Sequence, residues 1–158
     1  MTFIVFPGQG SQKIGMGKNL SENFYEAKEV FDEVNDALNF NLTKIMWEGS
    51  DSEISLTTNA QPALMACGVA AFRVLSKIKD KNLKQLADFT CGHSLGEYTA
   101  MTVAEVFSLE KCATLLRLRG EAMQQAVPVG KGAMAALIGN NFSRISEIIK
   151  QVQDDGVC

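Results

Sequence analysis

The sequence is short of the features that mark several classes of protein. Among its 158 residues there is one histidine, and none of the four cysteines falls in a C-x-x-C pair: Cys67, Cys91, Cys112 and Cys158. We therefore expect no metal site and interpret the cysteines as reduced, mostly buried thiols of a cytoplasmic protein. The formal net charge of −3 shows no basic excess, which argues against nucleic acid as a partner.

Long apolar stretches are missing as well. The longest, residues 63–72, is too short to span a bilayer, and residues 1–8 lack the basic start of a secretory signal. We therefore expect no membrane association. The length and a hydrophobic content of 46% fit one globular domain with a sizeable core.

What the sequence does contain is a strand-to-helix turn around a serine. A short apolar run ends at Cys91, and residues 92–96 (GHSLG) lead into a mostly apolar segment. This G-x-S-x-G pattern is typical of a sharp turn that exposes a serine oxygen at the end of a sheet. Gly92 and Gly96 are expected where the strand and helix backbones approach too closely for a Cβ. By itself the pattern also fits an ordinary glycine-rich turn with an incidental serine.

The predicted turn places a backbone donor beside Ser94. The Leu95 N–H lies at a helix N-terminus, where it is suited to stabilise a developing oxyanion. A second glycine-rich turn, residues 7–12, follows the apolar run 3–6, which is predicted to be a buried strand. If the two strands are parallel, Gln9 and Ser94 reach the same sheet edge. The alternative is a plain strand-ending turn at Gln9.

Apolar periodicity predicts a helix after a Ser21 N-cap, with its buried stripe at Phe24, Ala27, Phe31, Val34 and Leu38. Ile45, Met46 and Trp47 indicate a short helix. Residues 57–62 read as a capped helix start with a proline in the first turn, and residues 63–72 as a helix through the interior. The lysines of 76–84 indicate a solvated helix end, or less favourably a docking patch for an acidic partner.

Ser108 is predicted to cap a helix that runs to about residue 125. Arg119 interrupts its apolar stripe, which otherwise consists of Cys112, Leu116 and Met123. Such an arginine either extends outward along its aliphatic stem or meets an anion in a partly dry site. Helical position alone favours the outward orientation.

Residues 127–132 form a predicted connector. A strand over 133–139 and an amphipathic helix over 142–152 follow it, as the start of a second, smaller lobe. We therefore predict an α/β fold, with residues 1–126 in a parallel-sheet core and residues 127–158 opening an incomplete lobe.

Five motifs resemble those of one known family. They are residues 6–12 (FPGQGSQ), 58–63 (TNAQPA), 92–98 (GHSLGEY), 119–124 (RGEAMQ) and 130–136 (GKGAMAA). In this order they resemble the malonyl-CoA:acyl carrier protein transacylases of bacterial fatty acid synthesis. Acyltransferase domains of polyketide and animal-type synthases share the pattern. The resemblance implies an α/β-hydrolase-like core with a nucleophile elbow and a small ferredoxin-like α+β lobe, of which this chain is an N-terminal portion.

The resemblance also implies roles for individual residues. Ser94 corresponds to the nucleophile that carries the acyl group, and the backbone N–H groups of Gln9 and Leu95 to the oxyanion hole. Arg119 corresponds to the arginine that pairs with the free malonyl carboxylate, and Gln61 to a glutamine lining the same pocket. Malonyl-CoA and acyl carrier protein are the implied partners, and no metal or redox cofactor is implied.

The sequence departs from the family at two points. The family's general base is a histidine on a segment absent here, whereas His93 adjoins the nucleophile and is predicted to be a structural residue of the turn. Glu105 stands where relatives usually carry a small residue. The alternatives to a transacylase are therefore a non-catalytic fragment that binds acyl-CoA or carrier protein, and a serine hydrolase of another family.

Overall fold

The computed structural model describes residues 1–127, 130–131 and 142–152. The chain divides into two compact units, Met1–Pro128 and Val129–Cys158. The described elements of the first unit are β1 (Phe3–Phe6), α1 (Lys18–Asn23), α2 (Tyr25–Leu38), α3 (Leu42–Glu48), α4 (Asp51–Ser55), α5 (Thr57–Lys79), α6 (Leu83–Leu86), β2 (Phe89–Gly92), α7 (Leu95–Val103) and α8 (Leu109–Ala126). In the second unit the structure describes α9 (Phe142–Val152).

The two strands form a parallel pair. Phe3 lies opposite Phe89 and Phe6 opposite Gly92. The parallel arrangement on which the predicted meeting of Gln9 and Ser94 depended is confirmed, because both residues follow the carboxyl end of their strand. The turns after β1 and β2 therefore leave the sheet at the same edge.

The expectation that β1 is a buried strand is wrong for one of its faces. Phe6 is buried, but the side chains of Phe3 and Val5 are 53% and 66% exposed. Phe6 packs on α5, because a Cβ at Gly68 would lie 3.1 Å from its ring. The opposite face carries no covering helix within the described residues. Cys91 lies exposed on this face, which corrects the expectation of buried thiols at that position.

The interior helix predicted after residue 62 is confirmed. In α5 the residues from Asn59 to Ala66 are all buried, as are Val69, Ala70 and Val74. Two details differ. The N-cap is Leu56, which has no capping side chain, and Pro62 lies in the second turn rather than the first. The missing N–H of Pro62 therefore leaves the Thr58 carbonyl without its helical donor.

The prediction of Ser21 as an N-cap is wrong, because Ser21 lies inside α1. The chain bends at Phe24, which has extended backbone angles and precedes α2. The predicted stripe is nevertheless the packed face of α2: Ala27, Val30, Phe31 and Val34 are buried. The short helix around Met46 is confirmed as α3.

The cap of α8 is confirmed, since Ser108 Oγ accepts a hydrogen bond from Lys111 N at 3.1 Å. The helix ends at Ala126, one residue beyond the predicted limit. The core of the first unit lies among α2, α5, α7 and α8, which supply Phe31, Met65, Leu95 and Leu116 at 1% exposure or less.

The helix predicted over 142–152 is confirmed as α9. Of its apolar stripe, Ile145 is half-buried, and Ile148 and Ile149 are exposed. The strand predicted over 133–139 lies outside the described residues.

Candidate functional site

Ser94 occupies a strained turn between β2 and α7. Its backbone angles are φ 55° and ψ −114°, in a region that residues with a Cβ avoid and that costs about 1–3 kcal/mol. Ser94 stands at the N-cap position of α7, but its side chain makes no capping bond. The turn is closed by backbone bonds instead, from Gly96 N to His93 O at 2.9 Å and from Glu97 N to Ser94 O at 3.1 Å. The hydroxyl is therefore left for other partners.

The predicted reason for the two flanking glycines is confirmed. A Cβ at Gly92 would lie 2.0 Å from the carbonyl carbon of Gly96. A Cβ at Gly96 would lie 2.4 Å from Phe6 O and 2.8 Å from Pro7 O. Both contacts are to backbone that cannot move aside. The glycines therefore press β2 against the first turn of α7, and that turn against the end of β1.

The same close contact brings the turn after β1 to the site. Gln9 follows Pro7 by two residues, and its Nε2 donates to Thr57 Oγ1 at 3.4 Å. Gly10 N donates to Gln12 Oε1 at 2.8 Å, which holds the turn in place. On the other side of Ser94, Leu95 is the first residue of α7, so its N–H has no acceptor inside the helix.

Arg119 is the residue that joins the turn of Ser94 to the interior. It lies half-buried on α8, and its Nη2 donates to Ser94 Oγ at 3.0 Å. Its Nη1 donates to Gln61 Oε1 at 2.7 Å. The guanidinium carbon also lies 5.8 Å from the centre of the Tyr98 ring, a cation–π distance. Arg119 thus turns inward, against the outward orientation that helical position alone favours.

Gln61 fixes the inner end of this arrangement. Its side chain is 1% exposed, so each of its polar atoms needs a partner. The carbonyl oxygen accepts from Arg119, and Nε2 lies 3.3 Å from Met123 Sδ. In the part of the chain that the structure describes, Arg119 forms no ion pair. Its charge faces an amide oxygen, a hydroxyl and an aromatic ring, an environment suited to an anionic ligand.

The side chain of His93 packs on the opposite turn. Its Nδ1 lies 2.5 Å from where a Cβ of Gly8 would be, and its backbone N donates to Phe6 O at 3.2 Å. These contacts fit the structural role predicted for His93. They also leave Ser94 without a histidine partner within the described residues.

Arg117 is a further residue of this region that no sequence motif singled out. Its Nη1 donates to Asn59 Oδ1 at 2.8 Å and to Thr58 O at 3.4 Å, and its Nε lies 3.3 Å from Glu121 Oε1. The signal was present in the run Arg-Leu-Arg-Gly at 117–120. A second arginine two positions before Arg119 lies on a different side of the helix and needs its own partners.

Three further properties of the chain concern metal binding, membrane-spanning helices and its cysteine thiols. In the described part of the chain, no three His, Cys, Asp or Glu side chains are placed to hold a metal ion. Within the same residues, no helix combines the length and hydropathy needed to cross a membrane. Burial raises the pKa of the Cys67 thiol to about 12 and also raises that of Cys112.

The parallel strand pair, the strained turn at Ser94 and the inward-facing Arg119 thus lie at one edge of the first unit. The chain belongs to the acyl transferase domain family, whose model matches residues 2–158.

Individual proteins similar to this chain carry names that are more specific than the family description. The chain is 44% identical over 152 residues to the malonyl CoA-acyl carrier protein transacylase of Bacillus subtilis, a match covering 96% of this chain and 46% of the relative. The acyl-carrier-protein-S-malonyltransferase of Bartonella henselae superposes with a TM-score of 0.90 at 50% identity, covering 100% of this chain and 50% of that one.

A second similar structure is that of a type II polyketide acyl carrier protein in complex with its malonyl-transacylase. Its TM-score is 0.86 at 37% identity, and the match covers 99% of this chain and 50% of that one. The chain therefore spans about half the length of the relatives it matches.

Proposed function

We propose that these residues are the nucleophile-bearing portion of a malonyl-CoA:acyl carrier protein transacylase. The observation that carries the proposal is the contact of Arg119 with both Ser94 Oγ and the buried Gln61. A serine hydrolase of another family would not need a guanidinium held against its nucleophile. The relatives, which are named as malonyl transferases, support the same reading.

In this proposal the turn at Ser94 is a nucleophile elbow. Ser94 Oγ attacks the thioester carbon of malonyl-CoA, the O–C bond forms, and the C–S bond breaks to release CoA. The proton of Ser94 passes through a base to the departing sulfur. In the second half of the cycle the carrier thiol attacks the malonyl ester, and Ser94 regains its proton.

The backbone groups on either side of Ser94 are proposed to stabilise the tetrahedral intermediates. The N–H of Leu95 has no helical acceptor, and the turn bearing Gln9 lies against the first turn of α7. Two such donors aimed at one oxyanion lower the barrier because they are oriented before the reaction starts.

Arg119 is proposed to bind the free malonyl carboxylate, with Gln61 orienting the guanidinium. A planar guanidinium can grip a carboxylate through two parallel hydrogen bonds. An acetyl group would leave that charge half-buried without its anion, which disfavours acetyl-CoA. The carboxylate would compete with Ser94 Oγ for the guanidinium, so that substrate binding frees the nucleophile.

The general base is not provided by the described residues, since His93 packs on Gly8. We infer that it comes from the part of the relatives that this chain does not match.

We likewise propose that residues 1–126 form the hydrolase-like core and that residues 127–158 begin a ferredoxin-like lobe. The free thiols of Cys67, Cys91 and Cys112 support the predicted cytoplasmic location.

The test is acyl selectivity in a catalytically active protein that contains this segment. Arg119→Ala should lower kcat/KM for malonyl-CoA by about 10²-fold or more and raise the relative use of acetyl-CoA. Arg73→Ala is the matched control, because Arg73 is a half-exposed arginine that pairs with Glu33 at 3.6 Å. An unchanged malonyl preference in Arg119→Ala would rule the role out.

A further inference from the structure

A second guanidinium–amide pair lies next to the one at Ser94. Arg117 Nη1 donates to Asn59 Oδ1 at 2.8 Å, as Arg119 Nη1 donates to Gln61 Oε1 at 2.7 Å. Both arginines belong to α8 and both amides to α5, and one residue separates the two arginines, as one separates the two amides. Only the Arg119 pair reaches Ser94. The Arg117 pair therefore has no direct contact with the nucleophile.

Next to these two pairs, the backbones of α5 and α8 are in direct contact. A Cβ at Gly120 would lie 2.8 Å from Thr58 Cα and 2.9 Å from Thr57 O. Interlocking side chains normally fix how one helix sits on another, and none is present at this glycine. The close contact at Gly120 does not by itself fix the rotation of α8, which depends on the buried Cys112, Ala113 and Leu116 and on the polar pairs that flank the glycine.

The two arginines oppose a roll of α8 about its own axis. Helical residues advance by about 100° each, so positions one and three before Gly120 lie on opposite flanks of the contact. A roll of α8 in either direction would pull Arg117 from Asn59 or Arg119 from Gln61. Each pair consequently holds the other in register.

The Arg117 pair is itself held from several sides. Asn59 is 5% exposed, and its Nδ2 donates to Glu53 O at 2.8 Å. The guanidinium of Arg117 lies 4.9 Å from the centre of the Phe40 ring and also reaches Thr58 O. That carbonyl is the one deprived of its helical donor by Pro62. The pair therefore compensates for the proline while anchoring α8.

We propose that Asn59 and Arg117 are positioning residues, which fix the rotation of α8 on α5 and so hold the Arg119 guanidinium beside Ser94. The inference rests on the proposed carboxylate-binding role of Arg119. Acyl selectivity would then also depend on Asn59 and Arg117, because a rotation of α8 would move the Arg119 guanidinium away from Ser94.

The test is a titration with malonamate of a catalytically active protein that contains this segment, followed through the ¹⁵N-labelled arginine Nε–H signals. Malonamate carries the free carboxylate but has an amide in place of the thioester, so it does not acylate Ser94. Acetamide, which lacks the carboxylate, is the ligand control. In the unsubstituted chain we expect malonamate to shift the Arg119 signal, identified by its loss in Arg119→Lys.

Asn59→Ala removes the acceptor of Arg117 and should weaken malonamate binding about three- to tenfold, the range expected for residues coupled in one hydrogen-bond network. Asn59→Asp loses the donor to Glu53 O but keeps an acceptor for Arg117 and adds a charge that pairs with the guanidinium, so binding should be largely retained. Should Asn59→Ala not fold, Arg117→Gln replaces it, because Arg117 is 30% exposed.

Asn35→Ala is the matched control for stability. Asn35 is also a partly buried helical asparagine with two bonds, to Thr43 Oγ1 at 2.9 Å and from Thr43 N at 3.2 Å. It should lower the thermal midpoint without weakening malonamate binding. Unchanged binding in both Asn59→Ala and Arg117→Gln, or equal weakening in Asn35→Ala, would overturn the inference. A silent Arg119 signal in the unsubstituted chain would overturn the carboxylate-binding role itself, and this inference with it.

Discussion

Glu105 occupies a backbone conformation that has a measurable cost. It follows α7 with φ 62°, a left-handed conformation that favours glycine. Glu105 N donates to Thr102 O at 3.0 Å and Val106 N to Met101 O at 2.9 Å, so the chain needs this conformation to end the helix. This backbone geometry favours glycine, the smallest of the small residues that the family resemblance leads us to expect here.

We expect Glu105→Gly to raise the free energy of unfolding by about 0.5–1 kcal/mol, because glycine relieves the left-handed strain. Urea denaturation measures the change. Glu105→Ala removes the same carboxylate but keeps the Cβ, and it should bring no comparable gain. Equal stabilisation by Glu105→Gly and Glu105→Ala would show that the gain comes from removing the charge rather than from relieving backbone strain.

Cys67 supplies a pH dependence whose direction follows from burial. Its thiol pKa is raised from 9.0 to about 12, so the folded chain keeps a proton that the unfolded chain loses in that interval. The unfolded state then binds fewer protons, and the free energy of unfolding falls as the pH rises, by up to about 1.4 kcal/mol per pH unit. Below the ordinary thiol pKa the group contributes no such slope.

We therefore expect Cys67→Ala to have a shallower loss of stability above pH 9 than the unsubstituted chain. Denaturation midpoints measured at several alkaline pH values give the slope, which is independent of any constant loss from the deleted sulfur. Parallel slopes for Cys67→Ala and the parent would contradict the assignment.

At the same scale, sequence reasoning reached the site only in part. The pattern around Ser94 indicated its turn and the need for both glycines, because those depend on local chain geometry. Apolar periodicity placed Arg119 on the buried stripe of α8. It could not predict that Gln61 and Ser94 contact Arg119, because those contacts join segments that are distant in the sequence. The family resemblance supplied that expectation, and it did not extend to Arg117 and Asn59.

Among the elements, the contact between β1 and α7 decides whether the two turns of the site meet. Gly96 faces Phe6 O and Pro7 O, and both are backbone atoms. The nearest atom to a Cβ at Gly8 would be Nδ1 of the His93 ring at 2.5 Å, in a side chain that can rotate away, and the nearest backbone atom would be His93 O at 3.1 Å. The two glycines therefore make a matched pair of sites for adding a methyl group.

We expect Gly96→Ala to lower the free energy of unfolding by about 1–3 kcal/mol, the usual cost of overpacking. Gly8→Ala should cost clearly less, because its main obstacle is mobile. Thermal unfolding followed by circular dichroism gives both values. If the two substitutions proved equally harmful, the contact of Gly96 with the β1 backbone would not be the limiting one.

The elements themselves were predicted where the pattern was long. The interior helix, the Ser108 cap and the helix over 142–152 follow from periodicity and capping chemistry, which act within one segment. The Ser21 cap failed because Phe24 bends the chain there, and a bend is decided by packing against other helices. The burial of β1 failed for the same reason, since only a covering layer hides the second face of a strand.

At the scale of the whole unit Met1–Pro128, that open sheet face is the dominant surface feature. It carries Phe3, Val5, Phe89 and Cys91, and the rings of Phe3 and Phe89 stack at 5.3 Å. Val5 lies opposite Cys91 in the strand register. Parallel sheets are ordinarily covered on both faces, and an exposed apolar face beside open strand edges favours association.

We therefore expect residues 1–158 alone to self-associate through this face and to turn over malonyl-CoA negligibly without a base for Ser94. Val5→Lys places a charge at the centre of the face and should lower the weight-average mass in sedimentation velocity at a given concentration. Val106→Lys is the matched control, because Val106 is 64% exposed and Val5 66%. Only Val5→Lys should lower the mass, since Val106 follows α7 and belongs to neither strand. A monodisperse monomer in the unsubstituted chain would show that the face is stable in water, and equal effects of the two lysines would trace the association to net charge.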